Sequence, residues 1–231
     1  MPKKIMDGIW HLFNAIPEGP FKMRLRFFLA FQKGVPRCIR DRSPIGASIF
    51  NYVPRPGEVV IDAGAFPGDF TVFASRKVGP TGRVIAFEPH PRNFTRMVEN
   101  VRAFHCENVT PIQKGLWSHD CTMTITGDGV DAHVAKEGGV TIQLASLDAE
   151  LKRLGVPRVD FIKMDIEGAE IKALEGAVET LAANRAHLAI GSYHEFEGEV
   201  TQPRVEKLLA AAGYRYKTDY PLRPNTYAWK E

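Results

Sequence analysis

Apolar residues follow two rhythms along this chain, and the rhythm changes near Val59. From there, short unbroken apolar runs such as "VVIDA" (59–63) and "RVIAF" (83–87) alternate with stretches whose apolar positions recur every three or four residues. The first pattern is that of a buried strand, the second that of one helix face. "FTVFASRKV" predicts a helix after the first strand, and "PRNFTRMVENVRAF" carries Phe94, Met97, Val98 and Val101 at helical spacing. "VTPIQKGLW", "CTMTIT" and "VTIQLA" read as strands, with "GDGVDAHVAKEGG" (127–139) as a loop. "VDFIKMDI" is a further central strand. "AEIKALEGAVETLAA" (169–183) reads as one helix with Ile171, Leu174, Val178 and Leu181 on a shared face. "HLAIGSYH" is the next strand and "QPRVEKLLAAAG" a helix ending at Gly213. "YRYKTDY" and "NTYAWK" close the chain as a hairpin.

Strands alternating with helices imply an α/β fold with a mostly parallel sheet covered on both faces. Ligands then sit at the carboxyl ends of the strands, near the point where strand order reverses. Residues 1–50 stand apart. "FKMRLRFFLAFQK" mixes bulky apolar residues with Lys22, Arg24, Arg26 and Lys33, so 1–33 read as a helical extension. It either packs on the body as a lid over the mouth or presents a basic amphipathic face to anionic lipid or a partner. "VPRCIRDRSPIG" and "VPRPGE" read as loops. The expected division is an extension at 1–50 and one domain at 51–231.

Composition narrows the function classes. A net charge of +3 is too small to argue for nucleic acid. Three widely spaced cysteines, Cys38, Cys106 and Cys121, form no C-x-x-C pair and fit a reducing compartment. No apolar run reaches the roughly 18 residues that span a bilayer. The expectation is a cytoplasmic protein without a transmembrane segment; its oligomeric state stays open, a homodimer included.

The candidate chemistry begins at "IDAGAFPGDF", where a strand runs into a glycine-rich turn and then a helix. Gly64 allows a sharp turn close to a ligand and Gly68 a tight helix entry. The pattern D-x-G-x-x-x-G lacks the second glycine of dinucleotide sites and places Asp62 at the strand end, where a carboxylate suits an ammonium better than a phosphate. The second strand ends in Glu88, an acid placed to accept hydrogen bonds from both hydroxyls of a ribose. An amino-acid moiety above the first turn and a ribose at the second strand describe S-adenosylmethionine (SAM).

Three stretches, "VVIDAGAFPGDFT", "VIAFEPHPRNFTRMVENV" and "TIQLASLDAEL…VDFIKMDIEGAE", resemble the FkbM family of SAM-dependent methyltransferases. The resemblance runs from about Val53 to His194 and departs from the family pattern at Phe66, where Asn is usual. It implies a Rossmann-like class I fold with a mostly parallel seven-stranded sheet, helices on both faces and a C-terminal antiparallel hairpin. By position it implies that Asp62, Gly64, Ala65 and Gly68 line the methionine half of SAM, with Phe70 among the cofactor contacts. Glu88 would hold the ribose, with Pro89, His90 and Asn93 beside it. Leu116 or Trp117 would flank the adenine, and Ser118 would bond its edge.

The strand "DFIKMDIEGAE" brings Lys163, Asp165 and Glu167 to the same rim, with Asp165 near both cofactor and acceptor. Charges on a buried strand require partners, and a Lys163 bridge to Glu167 or Glu170 would supply them. His194 follows the next strand and has the unperturbed pKa of a general base. Alternatively Asp165 and His194, with Glu167, would hold a divalent metal such as magnesium or manganese. O-methylation of a small hydroxylated acceptor leads. An RNA ribose methyltransferase, a noncatalytic SAM-binding protein and a nicotinamide dehydrogenase are the competing readings.

Overall fold

The computed structural model describes residues 15–17, 19–31, 44–126, 133–134, 139–219 and 223–231. In chain order the elements are α1 (Pro20–Phe31), α2 (Pro44–Ser48), β1 (Val59–Ala63), α3 (Asp69–Val78), β2 (Arg83–Phe87), α4 (Pro91–Ala103) and β3 (Val109–Ile112). Then come β4 (Gly115–Leu116), β5 (Cys121–Thr126), β6 (His133–Val134), β7 (Val140–Ala145), α5 (Leu147–Arg153), β8 (Phe161–Met164), α6 (Glu170–Glu175) and α7 (Val178–Ala183). The last are β9 (His187–Gly191), β10 (Glu195–Phe196), β11 (Glu199–Val200), α8 (Gln202–Ala211), β12 (Arg215–Asp219) and β13 (Asn225–Trp229).

Seven strands form the main sheet in the order β12-β13-β9-β8-β1-β2-β3. The pairings from β9 to β3 are parallel, and β13 runs antiparallel to both neighbours. The order reverses between β1 and β8, which places a crevice at their carboxyl ends. Side chains alternate across the sheet with period two. Ile61, Ile85 and Ile162 enter one core with residues of α5 to α8, while Val60, Val84 and Phe161 enter another with Phe70, Phe73 and Ile45. All six sheet residues are fully or almost fully buried, as a sheet covered on both faces requires.

Local signals explain the helix ends near the site. Pro91 occupies the first turn of α4, where its missing N–H costs nothing. Ser146 caps α5 by accepting the Ala149 N–H at 3.2 Å, with Asp148 and Glu150 in the first turn. α1 packs against α3 and α4, and its Met23 is buried beside Met97.

Several expectations need correction. Residues 169–183 form two short helices, because the chain breaks at Gly176, where a Cβ would lie 2.0 Å from the Trp117 carbonyl oxygen. Ile171, Leu174 and Leu181 are buried, but the break turns Val178 outward, 62% exposed. "VTPIQKGLW" is divided between the main sheet (β3) and a second, four-stranded sheet of order β4-β7-β5-β6. Within the expected loop 127–139, His133–Val134 pairs with β5; 127–132 and 135–138 lie outside the described residues. Pro44–Ser48 is helical where a loop was expected to reach Gly46. Strand β9 stops at Gly191, short of His194. Of the extension, 1–14, 18 and 32–43 lie outside the described residues, Cys38 among them.

Candidate active site

Asp62 and Lys163 stand side by side in the register of β1 and β8. The Lys163 ammonium lies 3.2 Å from Asp62 Oδ1 and donates to the carbonyls of Ala63 at 3.1 Å and Gly64 at 2.6 Å. Thr71 on α3 donates to Asp62 Oδ2 at 2.6 Å. Asp62 is fully buried and Lys163 nearly so. Burial alone would lower the pKa of Lys163, but the charges of Asp62 and Asp165 carry it above the ordinary lysine value. The expected bridge to Glu167 or Glu170 is therefore replaced by one to Asp62. Gly64 follows at φ 75°, and a Cβ there would meet the Asp165 carbonyl oxygen at 2.0 Å, so only glycine lets the two strand ends meet.

Glu88, at the tip of β2, is buried and accepts the N–H of His90 at 3.0 Å and that of Phe66 at 3.4 Å. Burial raises its pKa to about 7, against the opposing pull of these N–H groups, Asn93 and Lys163. Between the strand ends opens a cavity of about 270 Å³. Asp62, Gly64, Ala65, Glu88, His90 and Asn93 line its polar side, with Asp165 and Glu167 beyond. Its other wall comes from the second sheet and its neighbours: Leu116, Met123, Ile125, Ile142, Leu144 and Phe196. Gly115 lines it too, and a Cβ there would meet Leu144 at 2.5 Å and Pro89 at 3.4 Å. Arg26 of α1 reaches the rim and pairs with Asp69 at 3.0 Å.

A family model, described as the methyltransferase FkbM domain, matches residues 62–216. The chain belongs to the FkbM methyltransferase family. The hexuronic acid methyltransferase AglP of Haloferax volcanii is 30% identical over 159 residues, which are 67% of this chain and 62% of that protein. The FkbM methyltransferase structure from Methylobacillus flagellatus matches with a TM-score of 0.58 at 19% identity, over 91% of this chain and 50% of that one. Aeropyrum pernix fibrillarin, solved with natively bound SAM, matches with a TM-score of 0.56 at 17% identity, over 82% and 75% of the two chains. The Rossmann-like fold expected of an FkbM methyltransferase is the fold observed.

Most residues singled out in the sequence meet at the cavity of this FkbM domain, including Phe70, Pro89 and Trp117. Three do not line it. Gly68, at φ 103°, caps α3 beneath the turn and packs near Met23 and Met97. Ser118 Oγ lies 3.0 Å from Nδ1 of its neighbour His119. His194 is buried behind the rim, its Nδ1 2.8 Å from Glu170 Oε1 and its Nε2 3.5 Å from Asp165 and 3.4 Å from Glu167. Burial alone would lower its pKa, but the Glu170 hydrogen bond and charge, followed by Asp165 and Glu167, carry it above the ordinary value. Among the described residues no group of three or more His, Cys, Asp or Glu is arranged to hold a metal.

The structure also brings in residues the sequence did not mark. The apolar alternation of "CTMTIT" and "VTIQLA" was visible, but not that Met123, Ile125, Ile142 and Leu144 turn to this cavity. Tyr193 donates to Asp165 Oδ1 at 2.9 Å, and Arg223, ahead of β13, donates to the Tyr193 hydroxyl at 3.3 Å. Nothing in the local sequence pairs these two with the acids of the turn after β8.

Proposed function

We propose that this FkbM protein is a SAM-dependent O-methyltransferase acting on a hydroxyl of a small molecule, such as a sugar or secondary metabolite. The observation that carries the reading is Glu88: a buried carboxylate at the tip of β2, on the wall of a cavity that begins at the glycine turn of β1. Its oxygens accept backbone N–H groups and leave room for further donors such as a ribose diol. His90 Nδ1 is buried on the same wall without a hydrogen-bond partner among the described residues. Pro89, Gly115, Leu116 and Leu144 line the cavity beside them, an apolar side suited to a purine.

These residues fit SAM. Glu88 would hold the ribose, Pro89, Leu116 and Leu144 the adenine, and the Gly64–Ala65 turn with Asp165 the methionine end. When bound, SAM supplies an electrophilic methyl group. Lys163 keeps Asp62 and both turn carbonyls fixed and holds the β1 turn in place, which is orientation rather than proton transfer. The apolar wall excludes water from the reacting region. α1, with Arg26 at the rim, closes the extension side and supports a lid role for that segment.

The acceptor class draws on AglP, a hexuronic acid methyltransferase, of whose length the chain spans 62%. An RNA ribose reading would use Lys163 together with Asp165 and Glu167, and Lys163 is committed to Asp62 inside the protein. No helix among the described residues is long and apolar enough to cross a membrane. Cys106 and Cys121 are free thiols, which supports work in a reducing, cytoplasmic setting. Calorimetry with SAM and with NAD tests the cofactor: micromolar SAM binding, about 7–8 kcal/mol, is expected. Tighter binding of NAD, or no binding of SAM, overturns the reading. An acceptor panel of neutral sugars, uronates and phenols, read by release of demethylated cofactor, then identifies the substrate class. Turnover in EDTA decides the metal alternative; it is expected to survive.

A further inference from the structure

We propose that His194 is a positioning residue, a fixed cation seated between Glu170 and the Asp165–Glu167 pair, and that Glu167 takes the proton from the acceptor hydroxyl. The inference rests on the methyltransferase reading for its second half only. Glu170 is fully buried, and its Oε1 accepts the N–H of Ile166 at 3.0 Å as well as bonding His194 Nδ1 at 2.8 Å. The Nδ1 of His194 therefore carries a proton. Its Nε2 faces two more carboxylate oxygens, of Asp165 and Glu167, at 3.5 and 3.4 Å. A lone pair there would be repelled by both, whereas an N–H is attracted by both.

The groups facing this cluster from each packed element point the same way. Glu170 comes from α6, Asp165 and Glu167 from the turn after β8, and Tyr193 and Arg223 from the segments beside β9 and β13. Lys163 adds its charge from β8 but is held by Asp62. Two carboxylates brought together need a cation between them, and His194 supplies it. Behind the rim and flanked by acids, it has no open lone pair with which to receive an acceptor proton.

Of the two acids at the cavity, Asp165 already takes the Tyr193 hydroxyl on Oδ1. Glu167 keeps a half-exposed side chain and lines the cavity. It sits at φ 54°, in the left-handed region that non-glycine residues rarely occupy. Such strain persists where the surroundings fix a side chain for use. Burial also raises the Glu167 pKa above the usual carboxylate value, which makes it a stronger base. In the reaction the acceptor O–H bond breaks as its oxygen takes the methyl group. The proton passes to Glu167, and the sulfonium becomes a neutral thioether.

Nitrogen-resolved NMR of histidine-labelled, cofactor-free protein tests the first half without any acceptor. The His194 signals are assigned by their loss in His194→Gln. Both ring nitrogens are expected to stay protonated above the pH at which a free imidazole loses its proton, and Glu170→Gln should move the titration down. A neutral His194 with a bare Nε2 at pH 7 overturns the clamp. The kinetic test uses whichever acceptor the panel yields. Glu167→Gln should lower kcat about 10²-fold or more with SAM affinity within about twofold of the parent, and should abolish the acid limb of the rate profile. His194→Gln should keep that limb but move it to higher pH, because the paired acids lose their cation. A limb that vanishes in His194→Gln and survives in Glu167→Gln makes His194 the base. If SAM fails to bind at all, the methyltransferase reading falls, while the NMR result still decides the clamp.

Discussion

Asp62 and Lys163 are direct neighbours across β1 and β8, with the ammonium 3.2 Å from the carboxylate and both side chains buried. The pair ties the glycine turn of the first strand to β8, the strand that leads into Asp165. Removing one charge strands the other in a low dielectric, a loss of about 3–5 kcal/mol.

Lys163→Met is therefore expected to lower Tm by on the order of 10 °C and to weaken SAM binding. Asp62→Asn added to Lys163→Met should recover part of the stability, since it removes the uncompensated charge. Scanning calorimetry of the single and double variants checks this. Equal Tm values for parent and Lys163→Met would mean the pair holds nothing together.

Glu88 gives stability and affinity opposite pH dependences. Its folded pKa of about 7 lies above the ordinary 4.5. Its contribution to stability is thus complete below about pH 4.5 and lost as pH rises through 7. A ribose diol donates to the carboxylate, so affinity should rise over the same range, by about tenfold from pH 6 to pH 8. Glu88→Ala should cost about 1.5–3 kcal/mol of binding at pH 8, and Glu88→Gln should flatten the pH dependence. Titration calorimetry at three pH values decides it; a parent protein with flat affinity would remove Glu88 from the ribose.

Gly176 lies outside the cavity, yet a Cβ there would lie 2.0 Å from the Trp117 carbonyl oxygen and 3.1 Å from the Ser118 Cα. Gly176→Ala should push the Trp117 wall away and weaken SAM binding by about tenfold, although Gly176 itself does not line the cavity. Affinity equal to the parent's would show that the wall yields without consequence.

Glu167→Gly should separate stability from activity. Glycine adopts φ 54° without steric cost, so relief of about 1 kcal/mol is expected. Tm should hold or rise by a few degrees, while turnover is lost with the carboxylate. Thermal melts beside single-turnover rates measure both, and a destabilised but active variant would contradict the assignment.

Much of this was legible along the chain. Burial from Val59 to Ala63 and from Arg83 to Phe87 is local and repetitive, so the strands appear as apolar runs. Gly64 and Glu88 are marked by position, one after the first strand and the other at the tip of the second, and the family follows from these motifs. Partners were not legible. Lys163 chooses Asp62 because register sets β8 beside β1, a hundred residues apart, and no periodicity records strand order. His194 looked like an open base because its spacing from β9 is visible and the buried Glu170 beside it is not. The break at Gly176 answers to the backbone of Trp117, a contact between distant segments. The sequence by itself determined which apolar runs form the central strands, where the chain turns after β1 and which acids stand at strand ends. Only the tertiary structure decided which charges meet and which residues close the cavity, because packing distant segments against one another sets those distances.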